Sequence, residues 1–497
     1  MAGIDERPYP PGDYPVVVVG SGPGGIQTSY ALSRLGIAHA VVSQDDAPGG
    51  MFRKWPIFHR LLSWTKPDAP YPRTAREYEW FDHNSLIADE PEHRGLAAEY
   101  LDRSWMVPSV AEMTAQLEAF AERTGVEVRT GCRWESTRRE EGGYVLTTSD
   151  GEYRCRVAVF AVGVTEPLKS DISGIEHVPH YAEARTDKES YRGRRVVVIG
   201  KRNSGFELAD ALIPWAAQVL LVSPRPVAAD VIALSTVRVR YLQPYEDHSW
   251  GGGTLALNAA IERVERGADG WRVVANGTTH ESRIVLEADD VIAATGFRTP
   301  LLDLPSLGCA TVRQGVLPAQ THHWESATVP GIYFAGGATQ AAAGLRKHGV
   351  PSASGTVSGF RYNARLLAAR IAEVHFGRPR PRPAVAPEDV APLLSAAVAR
   401  SPELWAQKSY LARVVTLGEG GPVDEGILPL GAFLDEDGPS AIAATVEMNG
   451  QGEIYPALYL RQGASVQEDT CPPHPLHAFD GPGYTKHIDS LVRCGLR

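Results

Sequence analysis

The sequence predicts an α/β protein: two Rossmann-like dinucleotide-binding domains, one inserted into the other, with a smaller C-terminal mixed α/β appendage. Three observations carry this. A run of four valines enters a glycine-rich turn near the N-terminus, Tyr14-Pro-Val-Val-Val-Val-Gly-Ser-Gly-Pro-Gly-Gly-Ile26. A second strand and turn of the same kind begins at Arg194. A stiff Pro/Arg segment, Gly377-Arg-Pro-Arg-Pro-Arg-Pro383, then sets off the last part of the chain. A length of 497 residues accommodates about three domains.

The elements follow in order. Val16 to Val19 reads as a strand buried on both faces, Ile26 to Leu35 as a helix stopped by Gly36, and His39 to Ser43 as a second strand. Val110 to Arg123 reads as a helix, because Met113, Leu117 and Phe120 recur at helical spacing. Tyr144 to Thr148 and Arg156 to Gly163 read as strands. The second unit repeats the first: strand Arg194 to Gly200, turn Lys201 to Gly205, helix Phe206 to Ile213 ended by Pro214, and strand Gln218 to Ser223. Val291 to Gly296 and Gly331 to Gly337 are strands that run into glycine. In the tail, Ile442 to Val446 and Ile454 to Leu460 flank Asn449-Gly-Gln-Gly452 as a hairpin. The expected domains are 1–190 and 297–376 for the first dinucleotide unit, 191–296 for the inserted one, and 384–497 for the appendage.

The turns carry the chemistry. In Gly20-x-Gly22-x-x-Gly25 the first glycine permits the tight turn and the second lets the backbone approach a pyrophosphate. The third allows close helix–strand packing, so N–H groups at the helix start face the phosphates. The carboxylate expected about 20 residues on is replaced by Ser43, followed by Gln44 and Asp45. Any of the three could meet the ribose. In the second turn, Arg202 fills the middle glycine position of Gly200 to Gly205, where its guanidinium fork can reach a phosphate. The next strand ends Ser223-Pro-Arg225 without a carboxylate. An Arg there favours the 2′-phosphate of NADPH over NADH.

Composition excludes several classes. Apolar residues at 43% and charged residues at 22% exclude a disordered chain. No stretch approaches the roughly 18 uninterrupted apolar residues of a spanning helix. The N-terminus lacks the basic start and apolar core of a signal peptide, so a cytoplasmic location is expected. A net charge of −10 disfavours nucleic-acid and anionic-membrane partners. The five cysteines are scattered with no CxxC, which argues against a disulfide scaffold and a dithiol centre. Cys471-Pro-Pro-His474-Pro-Leu-His477 is expected to be a rigid turn rather than a metal cage. No metal is expected.

Taken together, the two turns, Ala294-Thr295-Gly296 and Tyr333-Phe-Ala-Gly336 resemble the two-dinucleotide-binding-domain flavoproteins over roughly residues 14–370. The resemblance implies FAD in the first unit and NADPH in the second. It is closer to the class B flavin-dependent monooxygenases. Gly200 to Glu207 is similar to that family's GxGNSGxE turn, with Asn203, Ser204, Gly205 and Glu207 in place. Asp45 to Phe52 is similar to its loop beside the flavin. Ser63 takes the Asn position of an Asn-x-x-Lys segment that ends here at Lys66. The Baeyer–Villiger fingerprint is matched only in part: Gly174, His177 and His180 are present, but the leading Phe and the spacing are not.

This resemblance implies a monooxygenase that passes hydride from NADPH to FAD and uses a flavin hydroperoxide on a small nucleophile, most readily an amine nitrogen. Baeyer–Villiger or sulfur oxygenation is the alternative within the class, and an NADPH reductase passing electrons to a partner is the alternative outside it. The partners are then a small-molecule substrate and O₂. The tail would cover the site, form a homo-oligomer contact or add stability. Expected catalytic residues are His59, Ser63, Lys66 and Arg346. Expected cofactor contacts are Gly20, Gly22, Gly25, Ser43, Gln44, Gly50, Met51 and Phe52 for FAD, joined by Gly336, Gly337, Thr339 and Gln340. For NADPH they are Gly200 to Gly205, Ser223 and Arg225, with Thr295 and Gly296 between the units.

Overall fold

The structure, a computed structural model, describes residues 6–55, 58, 60–227, 237, 239–248, 253–342 and 352–495. Its contacts group the chain into two units. The first comprises Met1–Gly50, Ser63–Val164 and Thr299–Arg497, and the second Met51–Leu62 and Thr165–Arg298.

The first unit is built on a six-stranded sheet. Gly12–Val19 lies between His39–Val42 and Gly151–Phe160, parallel to both. Ile332–Phe334 adds a further parallel strand beside Gly151–Phe160, and Gly143–Thr148 and Trp134–Glu140 complete it antiparallel. Successive side chains of a strand face opposite ways. Val16 and Val18 therefore enter one core, and Val17 and Val19 the other. That two-sided burial explains the uninterrupted valine run. The helix Val110–Thr124 forms where helical spacing places it. Ser109 and Glu112 close a capping box at its start, and Gly125 ends it in the left-handed conformation.

The C-terminal region is an antiparallel five-stranded sheet, in the order Gly421–Pro429, Leu411–Gly418, Ala441–Met448, Ile454–Gln462 and Ser465–Thr470. The hairpin expected around Asn449 is present. The Asn449 carboxamide oxygen accepts the Gln451 and Glu453 N–H groups at 3.0 and 2.9 Å. This region is not a separate appendage. Leu394 and Val398 of helix Val390–Arg400, with Leu411, Ile442, Leu458 and Ile488, join one core with Val16, Leu32, Leu367 and Ile371. The Pro/Arg segment is held in place: Arg382 pairs with Glu373 and Glu425, and Arg380 with Glu425.

The second unit has its own six-stranded sheet, in the order Arg283–Ala288, Trp271–Gly277, Thr254–Arg266, Gln218–Ser223, Arg195–Ile199 and Asp290–Ala293. It starts at Thr165 rather than at the expected residue 191. The physical reason is that 165–190 bonds into it: Ala293 N–H donates to Pro179 O at 2.9 Å, and Val264 N–H to Ser173 O at 2.8 Å. The Tyr181 hydroxyl donates to the buried Glu207 at 2.6 Å. Met51–Leu62 also belongs here, since Trp55 stacks on Phe297 at 4.0 Å between ring centroids and Phe58 packs near Tyr181. Among the described residues no helix is long and apolar enough to cross a membrane.

A shared core makes the tail part of one cooperative block. Leu394→Ala is expected to destabilise the first unit by about 2–5 kcal/mol. Calorimetry should show the loss in the single transition that melts the first unit. A separate early transition for the C-terminal sheet, with the rest unmoved, would contradict the shared core.

Candidate dinucleotide sites

The two turns are built alike. In the first unit Gly20 has φ +110°, its N–H donates to Val42 O at 2.8 Å, and Ala161 N–H donates to Val19 O at 2.8 Å. In the second, Gly200 has φ +128°, its N–H donates to Val222 O at 2.9 Å, and Ala294 N–H donates to Ile199 O at 2.9 Å. A Cβ on Gly25 would lie 1.9 Å from the Gly20 carbonyl oxygen, and one on Gly205 would lie 2.4 Å from that of Gly200. No side chain fits at either place, so strand and helix can pack only through glycine. The helices Pro23–Arg34 and Asn203–Leu212 start there, and their first N–H groups have no partners within the helix.

The first turn is closed more tightly than the pattern alone requires. A Cβ on Gly24 would lie 2.4 Å from the Gly336 Cα, and one on Gly50 2.8 Å from the Gly22 Cα. Three segments distant in sequence thus meet through bare backbone at one helix start. A narrow backbone cradle of this kind fits a pyrophosphate, which needs N–H donors and close approach.

Ser43 stands where the ribose carboxylate was expected, and it is buried. It accepts the Ser21 hydroxyl proton at 2.8 Å and the Asp45 N–H at 3.2 Å. Both lone pairs are therefore engaged, and Ser43 can offer a ligand only its own proton. Gln44 beside it is exposed. Gly337 accepts from the Gln340 side chain at 2.8 Å, and the Thr339 hydroxyl donates to Gly336 O at 2.8 Å.

In the second unit Arg202 is exposed at the helix N-cap, and Asn203 and Ser204 are half-buried in the first turn. Lys201 does not point outward with them. Its ammonium donates to Leu257 O at 2.8 Å and to Asn258 Oδ1 at 2.5 Å, and burial pushes its pKa down to about 8. Strand pairing puts Asn258 opposite Ser223, so this cation lies beside the strand end that leads to the exposed Arg225. Thr295 and Gly296 are held within the unit. The Thr295 hydroxyl donates to Leu168 O at 2.5 Å, and Gly296 O accepts from Leu168 N–H and from the His180 ring, both at 3.0 Å. His180 is thus a fastening of this turn.

The stretch 49–66 is divided between the two units. Met51 and Phe52 lie in the short turn Gly50–Arg53, of which residues from Met51 onward group with the second unit. Ser63 and Lys66 belong to the first, where Lys66 is exposed with its ammonium 5.9 Å from the Phe81 ring centroid. His59 and Arg346 lie outside the described residues. In the tail, the His474 ring accepts the Leu476 and Ala478 N–H groups at 3.1 and 3.3 Å, so it closes a turn. Among the described residues no His, Cys, Asp or Glu group is arranged to hold a metal ion. Sequence reasoning missed Gly24, although the extra glycine of Gly24-Gly25 was its signal. It also missed the partners of Thr339, which had none.

Gly24→Ala is expected to leave the fold intact while the chain purifies with most of its FAD lost, because the new methyl meets backbone that cannot swing away. The ratio of visible to ultraviolet absorbance checks this. Gly450→Ala, with open space around it, should keep full flavin. Equal flavin content in both variants would contradict the cradle.

Comparison with known proteins agrees with this geometry. The model of the family described as pyridine nucleotide-disulphide oxidoreductase matches residues 17–336, more than half of the chain. The chain is 31% identical over 219 residues to FAD-dependent oxidoreductase domain-containing protein 2 of Danio rerio, covering 42% of this chain and 31% of that protein. It thus spans about a third of that relative's length. It is 29% identical over 210 residues to a probable indole-3-pyruvate monooxygenase of Arabidopsis thaliana, covering 39% and 43%. It is 25% identical over 341 residues to a ferredoxin–NADP reductase of Salinispora tropica, covering 65% and 86%. Among solved structures, bacillithiol disulfide reductase from Staphylococcus aureus shares the fold at a TM-score of 0.57 and 16% identity, over 73% of this chain and 99% of that one. A flavin-containing monooxygenase from Stenotrophomonas maltophilia does so at 0.55 and 19%, over 73% and 98%. The chain belongs to the pyridine nucleotide-disulphide oxidoreductase family.

Proposed function

We propose that the protein is an FAD- and NADPH-dependent monooxygenase of the cytoplasm, acting on a small nucleophilic substrate, with an amine nitrogen as the preferred target. The observation that carries this reading is a pair of dinucleotide turns in a chain without a cysteine pair. Cys132, Cys155, Cys309 and Cys471 are buried singly, and Cys494 stands alone on the surface. Electrons from NADPH then have no thiol relay to pass through. The Asn203-Ser204-Gly205 turn with Glu207, and the plant monooxygenase among the relatives, support the same reading.

When bound, FAD supplies the ring that accepts hydride and reacts with O₂. The chain's own residues bind and orient. Gly20, Gly22, Gly24, Gly25, Gly50 and Gly336 would offer backbone to its pyrophosphate, Gln44 would meet the ribose, and Gly337, Thr339 and Gln340 would shape the neighbouring loop. Gly200, Arg202, Asn203, Ser204 and Gly205 would receive the NADPH pyrophosphate, and Ser223 and Arg225 its 2′-phosphate, with Lys201 bracing the strand beside Ser223. Met51, Phe52, Thr295 and Gly296 complete the cofactor contacts, and His59, Ser63, Lys66 and Arg346 are the catalytic candidates.

A second reading is an NADPH reductase that passes electrons to a partner protein. It is favoured by the ferredoxin–NADP reductase relative, most of whose length is matched. One experiment separates the two. Purified protein with NADPH and O₂ is supplied with a panel of primary amines, ketones and thioethers, and NADPH consumption, peroxide release and product mass are followed. A monooxygenase gives a product one oxygen heavier and releases less peroxide when its substrate is present. Rapid electron transfer to ferredoxin, with no oxygenated product from any of the panel, would overturn the proposal.

A further inference from the structure

Four polar side chains of the first unit are almost wholly buried and bonded into one network: Thr339, Ser354, Asn363 and Gln407. They come from distant places. Thr339 lies in the turn Gly336–Ala341, Ser354 precedes the helix Val357–Phe376, Asn363 lies within that helix, and Gln407 follows the C-terminal helix Pro402–Ala406. The Gln407 amide donates to Asn363 Oδ1 at 2.7 Å and to Ser354 Oγ at 3.0 Å. The Asn363 amide donates to Thr339 Oγ1 at 3.0 Å and to Ser354 Oγ at 3.1 Å. The Thr339 hydroxyl donates to Gly336 O at 2.8 Å, with Ser354 O at 3.2 Å as a second acceptor. One line of donors leads from Gln407 through Asn363 and Thr339 to the carbonyl of Gly336, while the Ser354 hydroxyl donates back to Gln407 Oε1 at 3.3 Å. Gly336 is the residue against which Gly24 closes at the start of the first helix.

Apolar packing alone would attach the C-terminal region, and the shared core supplies it in full. Four buried polar groups add no apolar gain, and each is tolerated only while its bonds are made. What they add is direction, because each amide or hydroxyl fixes the orientation of the next. Water cannot stand in for a missing member without a space to enter.

We propose that Gln407 and Asn363 are positioning residues for FAD. They hold the Gly336–Thr339 turn in register with the helix start that receives the pyrophosphate, so the C-terminal region governs how firmly and in what setting the flavin is bound. This rests on the assignment of FAD to the first unit, and not on which reaction follows.

The test uses the full chain, stripped of FAD and titrated with it again. Gln407→Leu keeps the size and removes both amide donors. Thr445→Val is the comparison: its hydroxyl donates to Leu411 O at 2.7 Å in the same C-terminal sheet and to none of the four network side chains. Three readouts are taken for each: melting temperature of the apoprotein, FAD dissociation constant, and visible circular dichroism of the bound flavin. Gln407→Leu should weaken FAD about tenfold or more, equivalent to about 1.4 kcal/mol, and alter the visible dichroism. Asn363→Leu should do the same, and the double variant should lose little further, as for members of one network. Thr445→Val should lower the melting temperature and leave affinity and dichroism unchanged.

If Gln407→Leu does not fold, Gln407→Asn shortens the reach by one methylene and is held to the same expectation. Variants that melt earlier but bind FAD with unchanged affinity and dichroism would overturn the positioning role. So would flavin loss that follows melting temperature equally in Gln407→Leu and Thr445→Val. A wild-type chain that takes up no FAD would overturn the cofactor assignment itself, a separate result.

Discussion

The contact on which most of this molecule depends is the approach of a helix start to a strand end through bare backbone. It occurs twice, at Gly20–Gly25 and at Gly200–Gly205, where a Cβ on Gly25 or Gly205 would fall within 2.4 Å of a carbonyl oxygen. The same backbone bonds flank it both times, to the end of the next strand on one side and from an alanine on the other. Each turn fixes where its helix dipole points, and with it where a phosphate can lie. The parallel strands beside each turn follow, because only a crossover through that helix joins them.

The two units use this plan differently. The first adds Gly24, Gly50 and Gly336, which bring further backbone to the same place. The second puts Arg202 where the first has Gly22, and it buries Lys201 beside the strand end at Ser223. Under the proposed assignment, one site would recognise through close backbone approach, and the other would add the guanidinium of Arg202. That contrast suits one nucleotide held as a resident cofactor and another that binds and leaves.

Much of this could be read from the sequence because it is local. A valine run needs two buried faces, and a glycine at a left-handed turn has no substitute, so Val16–Val19 and both turns stood out. What was hidden depends on contacts between residues far apart. Lys201 looked like a phosphate cation, but its direction is set by Asn258, a residue on another strand. The second unit begins at Thr165 because the Pro179 and Ser173 carbonyls serve its strands, and nothing in their local sequence says so. The C-terminal region looked detachable at its Pro/Arg segment. Its apolar faces and Gln407 both belong to the first unit, and composition carries no sign of either partner. Trp55, Phe58 and Trp64 are close in sequence, yet packing sends Trp55 and Phe58 to one unit and Trp64 to the other.

Two similar turns that read two different dinucleotides should respond differently to NADPH and to NADH. Anaerobic mixing of the purified protein with NADPH, and separately with NADH, tests this most directly. One FAD per chain is expected, released on heating, with flavin that bleaches faster and at lower concentration with NADPH. A colourless protein, flavin that neither nucleotide bleaches, or equal bleaching by both would contradict it.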